Sequence, residues 1–134
     1  LSGKMKGSFE KSVALDQNHL AGLIGLARFY TNAPEIAGGN TAKAREFAPR
    51  VQALNPVVGA GELGRIAERE EKFDEALQHY ETVLAARPAS AGAHFSVGSV
   101  LAKLGRKDEA RVRFEAALVR NPQFEAAKKA LADL

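Results

Sequence analysis

The sequence predicts an all-α solenoid of antiparallel helix pairs, and three observations predict it. The first is a period. Gly64, Asp74, Glu75, Ala76, Glu81, Leu84 and Pro88 recur 34 positions later as Gly98, Asp108, Glu109, Ala110, Glu115, Leu118 and Pro122. Conservative pairs fill the gaps: Leu63 with Val97, Ile66 with Val100, Tyr80 with Phe114 and Arg69 with Lys103. A fixed period of this length marks a helix–turn–helix repeat whose units bury their apolar faces by stacking on one another. The second observation is that no segment alternates apolar and polar residues over a useful length, so strands are not expected. The third is punctuation by Asn55-Pro56, Arg87-Pro88 and Asn121-Pro122, because a proline pushes its predecessor out of the helical region.

Apolar spacing and these stops give helices over about 4–15, 18–32, 41–54, 58–70, 73–86, 90–104, 107–120 and 123–133. In the first, Met5, Phe9, Ser12 and Leu15 fall on one side, and Phe9, Val13 and Leu15 need a partner layer. The second carries Leu26, Ala27 and Tyr30, and is followed by an enlarged turn, Thr31–Asn40, containing Ala33-Pro34-Glu35-Ile36-Ala37-Gly38-Gly39. The third places Ala44, Ala48 and Val51 on one face. Pro49 lies inside it, lacking an N–H and crowding the carbonyl of Arg45, which predicts a kink or break near Arg45–Pro49. Asp74-Glu75 and Asp108-Glu109 open the fifth and seventh, where carboxylates favour the positive end of the helix dipole. Ala127, Ala130, Leu131 and Leu134 form the apolar side of the last.

The bulk numbers bound the function classes. The 134 residues, 46% of them hydrophobic, suffice for one packed domain. The net charge of +3 is spread along the length, unlike the concentrated basic stripe of a nucleic-acid binder. With no cysteine, disulfides, thiolate metal sites and cysteine nucleophiles are excluded. No apolar run approaches the roughly 18 residues of a membrane span. The start, Leu1-Ser2-Gly3-Lys4, has neither an apolar core nor an initiator Met, which reads as a piece of something longer.

The repeat residues resemble the tetratricopeptide repeat. Its first helix carries an apolar, a small and a bulky residue at set spacing; its second carries Ala, an aromatic and a further Ala before a closing Pro. Val97, Gly98, Leu101, Ala110, Phe114, Ala117 and Pro122 supply that set, and so do Leu63, Gly64, Ala67, Ala76, Tyr80, Val83 and Pro88. Small residues let the paired helices approach closely, while the aromatic fills the gap to the next repeat. A further copy, Leu26, Ala27, Tyr30, Ala44, Ala48, Val51 and Pro56, has five extra residues in its turn. It also has Ala48 in place of the aromatic, which predicts looser packing of that pair. The resemblance implies a right-handed superhelix forming one domain over 1–134. Its parts are the second helix of a truncated repeat (1–19), a repeat with an enlarged turn (20–56), two regular repeats (57–90 and 91–122) and a closing helix (123–134).

Little supports chemistry. Ser8-Phe9-Glu10-Lys11 matches a Ser-x-x-Lys pattern but lacks its companion motifs. His19, His79 and His94 lie on three different helices with no i,i+4 partner, whereas a metal needs convergent ligands. Glu68, Glu70 and Glu71 sit among Arg65, Arg69 and Lys72, as a salt-bridged exposed helix end. Gly38-Gly39-Asn40-Thr41 could bare N–H groups to an anion, but it reads better as a wide turn with Asn40 or Thr41 as helix cap. No catalytic residue, metal ligand or cofactor is predicted, and the chain is not expected to be an enzyme.

In tetratricopeptide proteins the concave face, lined by the first helix of each pair, binds partners. Carried over by position, that face is Ile24, Arg28 and Asn32, then Arg65 and Arg69, then Phe95, Ser99 and Lys103, with Lys129 from the closing helix. The mixture is apolar and basic, which suits a protein or an extended peptide that is acidic or ends in a carboxylate. The carboxylate clamp of heat-shock chaperone adaptors is not reproduced in either frame. Alternatives are a small-ligand or lipid binder of the cell envelope, with the Pro34–Gly39 turn at a pocket mouth, and a regulatory arm of a larger enzyme. The inserted turn resembles loops of bacterial envelope repeat proteins, which favours the periplasm over the cytoplasm. Self-association through the N-terminal helix is the remaining expectation.

Overall fold

The computed structural model describes residues 3–15 and 19–134, with the side chains of 5–11 and 19–134. Among the described residues there are eight α-helices and no strand. They are α1 (Gly3–Leu15), α2 (Leu20–Asn32), α3 (Thr41–Leu54), α4 (Pro56–Arg69), α5 (Phe73–Ala86), α6 (Ala91–Lys103), α7 (Lys107–Arg120) and α8 (Glu125–Ala132). The chain divides into two compact units, Leu1–Glu71 and Lys72–Leu134.

In the first unit α2 packs on α1, α3 and α4, and α3 packs on α4. The buried face of α2 is Leu23, Leu26, Ala27 and Tyr30. The helix starts at Leu20, two residues later than expected, because His19 caps it: its Nδ1 accepts the Gly22 N–H at 2.9 Å. Phe9 finds the layer it needs on α2, its ring against Gly25, where a Cβ would not fit. The side chains of Ser12, Val13 and Leu15, also expected on that face, lie outside the described residues.

The structure bears on three expectations for α3 and α4. First, no break forms at Pro49: α3 runs from Thr41 to Leu54 as one helix. Pro49 itself is exposed, while Ala44, Ala48 and Val51 are fully buried, so core packing on the opposite face offsets the missing hydrogen bond. Second, the pair does not lack an aromatic. Phe47, beside Ala48, stacks on Tyr30 with centroids 5.8 Å apart and planes 3° from parallel, and Lys43 Nζ lies 5.0 Å from the Tyr30 ring. Third, Glu70 is not held by its sequence neighbours alone. Arg45 of α3 donates to its Oε1 through Nε at 2.9 Å and Nη2 at 2.5 Å. Helix α4 begins at Pro56 because Asn55 caps it, its Oδ1 accepting the Val58 N–H at 3.2 Å. Proline is suited to that first position, where no N–H is needed.

The inserted turn is closed on itself. The N–H groups of Ala37 and Gly39 donate to Pro34 O, that of Gly38 to Glu35 O, and that of Asn40 to Tyr30 O at 2.8 Å. A 3-10 turn covers Glu35–Ala37, and Gly38 follows at φ 98°, in the left-handed region. Asn40 is the cap of α3, accepting the Lys43 N–H at 3.1 Å. The N–H groups of Gly38, Gly39 and Asn40 are therefore already bonded, which argues against an anion cradle.

In the second unit α6 packs on α5 and α7, and α7 packs on α8. Ala93, Val97, Val100 and Leu101 of α6 meet Ala110, Phe114 and Ala117 of α7 in its core. Ser90 caps α6 by accepting the Ala93 N–H at 3.1 Å. Helices α5 and α7 keep the boundaries their sequence predicts, with Asp74-Glu75 and Asp108-Glu109 in their first turns.

Candidate partner-binding surface

The expected surface residues sit on the first helix of each pair, and the structure treats them unevenly. In the first unit Arg28 of α2 and Arg65 of α4 converge on Glu62. Arg28 Nε donates to Glu62 Oε1 at 2.8 Å, and Arg65 Nη1 donates to the same oxygen at 3.3 Å. The Glu62 carboxylate is buried, its side chain only 2% exposed, whereas the arginine side chains are 44% and 46% exposed. Its second oxygen, Oε2, is buried and accepts no hydrogen bond among the described residues. Burying a carboxylate is costly unless it is paired, so the two arginines are what make Glu62 tolerable.

Glu62 was not among the residues the sequence singled out. A signal was available for half of this cluster: Glu62 is three residues from Arg65 on the same helix face. Ile24 is half-buried and Asn32 exposed on α2. Arg69, exposed at the end of α4, lines a cleft of about 180 Å³ with Tyr30, Thr31, Ala33, Glu35, Gly39, Asn40, Thr41 and Glu70. The inserted turn does form one wall of this cleft. The volume is nevertheless below the roughly 300–1,000 Å³ of typical ligand pockets.

In the second unit Phe95 is half-buried and committed to packing. Its ring lies 5.7 Å from Phe114 and 5.0 Å from Phe124. Ser99 is half-buried, while Lys103 and Lys129 are exposed. The ammonium of Lys103 sits 5.3 Å from the Phe73 ring centroid, a cation–π distance. The histidines do not converge. His19 is a cap, and His94 bonds Pro88 O through Nε2 at 2.8 Å. His79 does have an i,i+4 neighbour, Glu75 at 3.8 Å. Among the described residues no three His, Asp or Glu side chains come together as a metal site, and no helix is long and apolar enough to cross a membrane.

Helix pairs with small residues at their crossings, a buried aromatic in the second helix and a closing proline define a helical-repeat protein. The tetratricopeptide repeat family matches residues 62–126; that segment belongs to the family, and the chain as a whole has its all-α solenoid fold. Solved structures agree. MamA matches with a TM-score of 0.75 at 20% identity, over 94% of this chain and 72% of its own. TTC0263, a thermophilic TPR protein in Thermus thermophilus, matches with a TM-score of 0.82 at 18% identity, over 96% and 70%. MamA AMB-1 matches with a TM-score of 0.69 at 25% identity, over 95% and 72%. No curated protein matches the sequence significantly. Tetratricopeptide repeat proteins are generally non-catalytic scaffolds that bind proteins or peptides.

Proposed function

We propose that this chain is a non-catalytic interaction scaffold that binds a protein or extended peptide through the first helices of its pairs, α2 and α4 in the first unit and α6, with α8, in the second. The partner is acidic or ends in a carboxylate. One observation carries this reading: two guanidiniums from different helices are held side by side with nearly half of each side chain exposed. Guanidinium forks match carboxylates in shape as well as charge. Ile24 offers apolar contact, and Arg69, Lys103 and Lys129 add positive field. Phe95 contributes as a ring fixed by its neighbours.

Copurification with mass spectrometry, followed by binding kinetics on the captured peptide, tests the proposal. Exposed charges act over a Debye length of about 8 Å at physiological salt, so binding weakens as salt rises. Replacing Arg65 and Arg69 by Glu lowers the on-rate, because charge acts mainly on encounter. Affinity untouched by both substitutions would remove this face as the binding site. An apolar molecule recovered instead of a peptide would favour an envelope ligand binder, with the cleft beside Arg69 as the place to look. Recovery of neither would favour a regulatory arm of a larger enzyme.

A further inference from the structure

We infer that Glu62 is a positioning residue that holds Arg28 and Arg65 as a paired fork for one planar carboxylate of the partner. This rests on the reading of α2 and α4 as part of the partner-binding face.

The fold does not ask for this carboxylate. The residue 34 positions later is Ser96, half-buried on α6, and the counterpart of Arg65 is Ser99. The second unit thus builds its own core with no charge at either position. A buried ion pair is often no better for stability than apolar groups of similar size, so stability alone does not account for the charge. Its geometry supplies a reason. Two guanidiniums side by side repel each other, and as long, exposed side chains they would otherwise spread over many rotamers. Glu62 Oε1 accepts from both, at 2.8 and 3.3 Å, and so ties an arginine of α2 to an arginine of α4.

Each guanidinium has five N–H donors. Arg28 directs its Nε–H and Arg65 an Nη1–H at Glu62, and both side chains remain partly in solvent. With two cations and one anion the trio keeps one net positive charge, matched by one carboxylate. A carboxylate bridging the solvent side of the pair would complete an alternating arrangement: anion below, two cations between, anion above. The ligand class is a carboxylate, from a peptide C-terminus or an Asp or Glu side chain.

The test uses the full chain, isotopically labelled, with Arg28 and Arg65 Nε–H resonances and the backbone amides of α6 and α8 followed by NMR. Three probes are titrated: acetyl-tetra-alanine with a free C-terminus, the same peptide amidated, and the amidated peptide with one Ala replaced by Asp. Movement of both arginine resonances with the first probe but not the second or third assigns a chain terminus. Movement with the third as well assigns any carboxylate. In Glu62→Gln the cluster gains positive charge, so a simple charge effect would tighten binding. Positioning instead predicts weaker binding by about tenfold or more, the scale of one lost charge-assisted hydrogen bond. Equal or tighter binding overturns the inference. Because Glu62 is buried, Arg28→Lys, an exposed change that keeps the charge and loses the fork, is measured beside it. It should weaken binding similarly, and unchanged affinity there overturns the inference even if Glu62→Gln fails to fold. Probe-induced shifts confined to α6 and α8 would also overturn it, while leaving the wider face standing. No shift at any of these residues would remove both.

Discussion

Gly98 lies against the ring of Phe114 so closely that a Cβ built on it would come 2.8 Å from Cε1 and 2.9 Å from Cδ1. Phe114 is 1% exposed and cannot retreat. This contact is the physical content of the small and aromatic positions in the repeat pattern. Gly98→Ala should therefore overpack the α6–α7 crossing at a cost of about 1–3 kcal/mol, offset in part by about 1 kcal/mol of helix propensity. Gly7, exposed in α1 with nothing near its missing Cβ, offers the contrast: Gly7→Ala gains the propensity without the clash. Urea denaturation should show lower stability for the first variant and no loss for the second.

Glu71 adopts φ 61° and Gly105 φ 79°, the same left-handed turn one period apart. Glycine takes that conformation without penalty, whereas a residue with a Cβ is disfavoured by about 1–2 kcal/mol. Glu71→Gly should raise stability by about 1 kcal/mol, and Gly105→Glu should lower it by a similar amount. Thermal melts of the two variants check the pair. A fall in melting temperature for Glu71→Gly would mean that the Glu71 side chain contributes more than its backbone costs.

Pro49 is exposed inside an unbroken helix whose other face is fully buried. Pro49→Ala restores a donor for the Arg45 carbonyl and removes the ring's steric conflict. Stability should rise, by up to about 3 kcal/mol. Hydrogen exchange of the α3 amides should slow. Unchanged stability would show that the helix had already absorbed the ring by local adjustment.

The Glu109 carboxyl is held below its ordinary value of 4.5, first by its hydrogen bonds from Arg106, with desolvation opposing and charge attraction adding to them. Arg106 donates at 2.6 Å from Nε and 2.9 Å from Nη2. A depressed value in the folded state means stability fully present above the unfolded value and lost as pH falls through the folded one. The window therefore opens near pH 4.5 and extends downward. Arg106→Gln should return the Glu109 midpoint upward toward the ordinary value in a carboxyl-carbon NMR titration. An unmoved midpoint would assign the shift to something other than Arg106.

The sequence carries the regular parts of this fold well. Helices α5 and α7 are legible to the residue because acidic first turns, spaced apolar faces and closing prolines agree with one another there. Legibility fails where one residue has two readings. His19 reads as helix and acts as a cap, Pro56 reads as a stop and acts as a start, and Phe47 stands one place off the expected aromatic position. The face residues were legible as positions on helices, but not as a network. Periodicity reports which positions repeat, and Glu62 with its arginines has no counterpart one period on. The i,i+3 spacing of Glu62 and Arg65 is legible, but the contact with Arg28 is visible only once α2 and α4 are packed together.

The bond from Asn40 N–H to Tyr30 O pins the two ends of the inserted turn together at 2.8 Å. Helices α2 and α3 thus meet the same doorway whatever lies beyond it. A loop with its ends already joined can lengthen at only about 0.6 kcal/mol per doubling. That is how a repeat with five extra residues in its turn can still pack α3 on α2. The tip, with Ile36 fully exposed, is consequently the place where this chain can exchange, extend or graft sequence while its scaffold stays as it is.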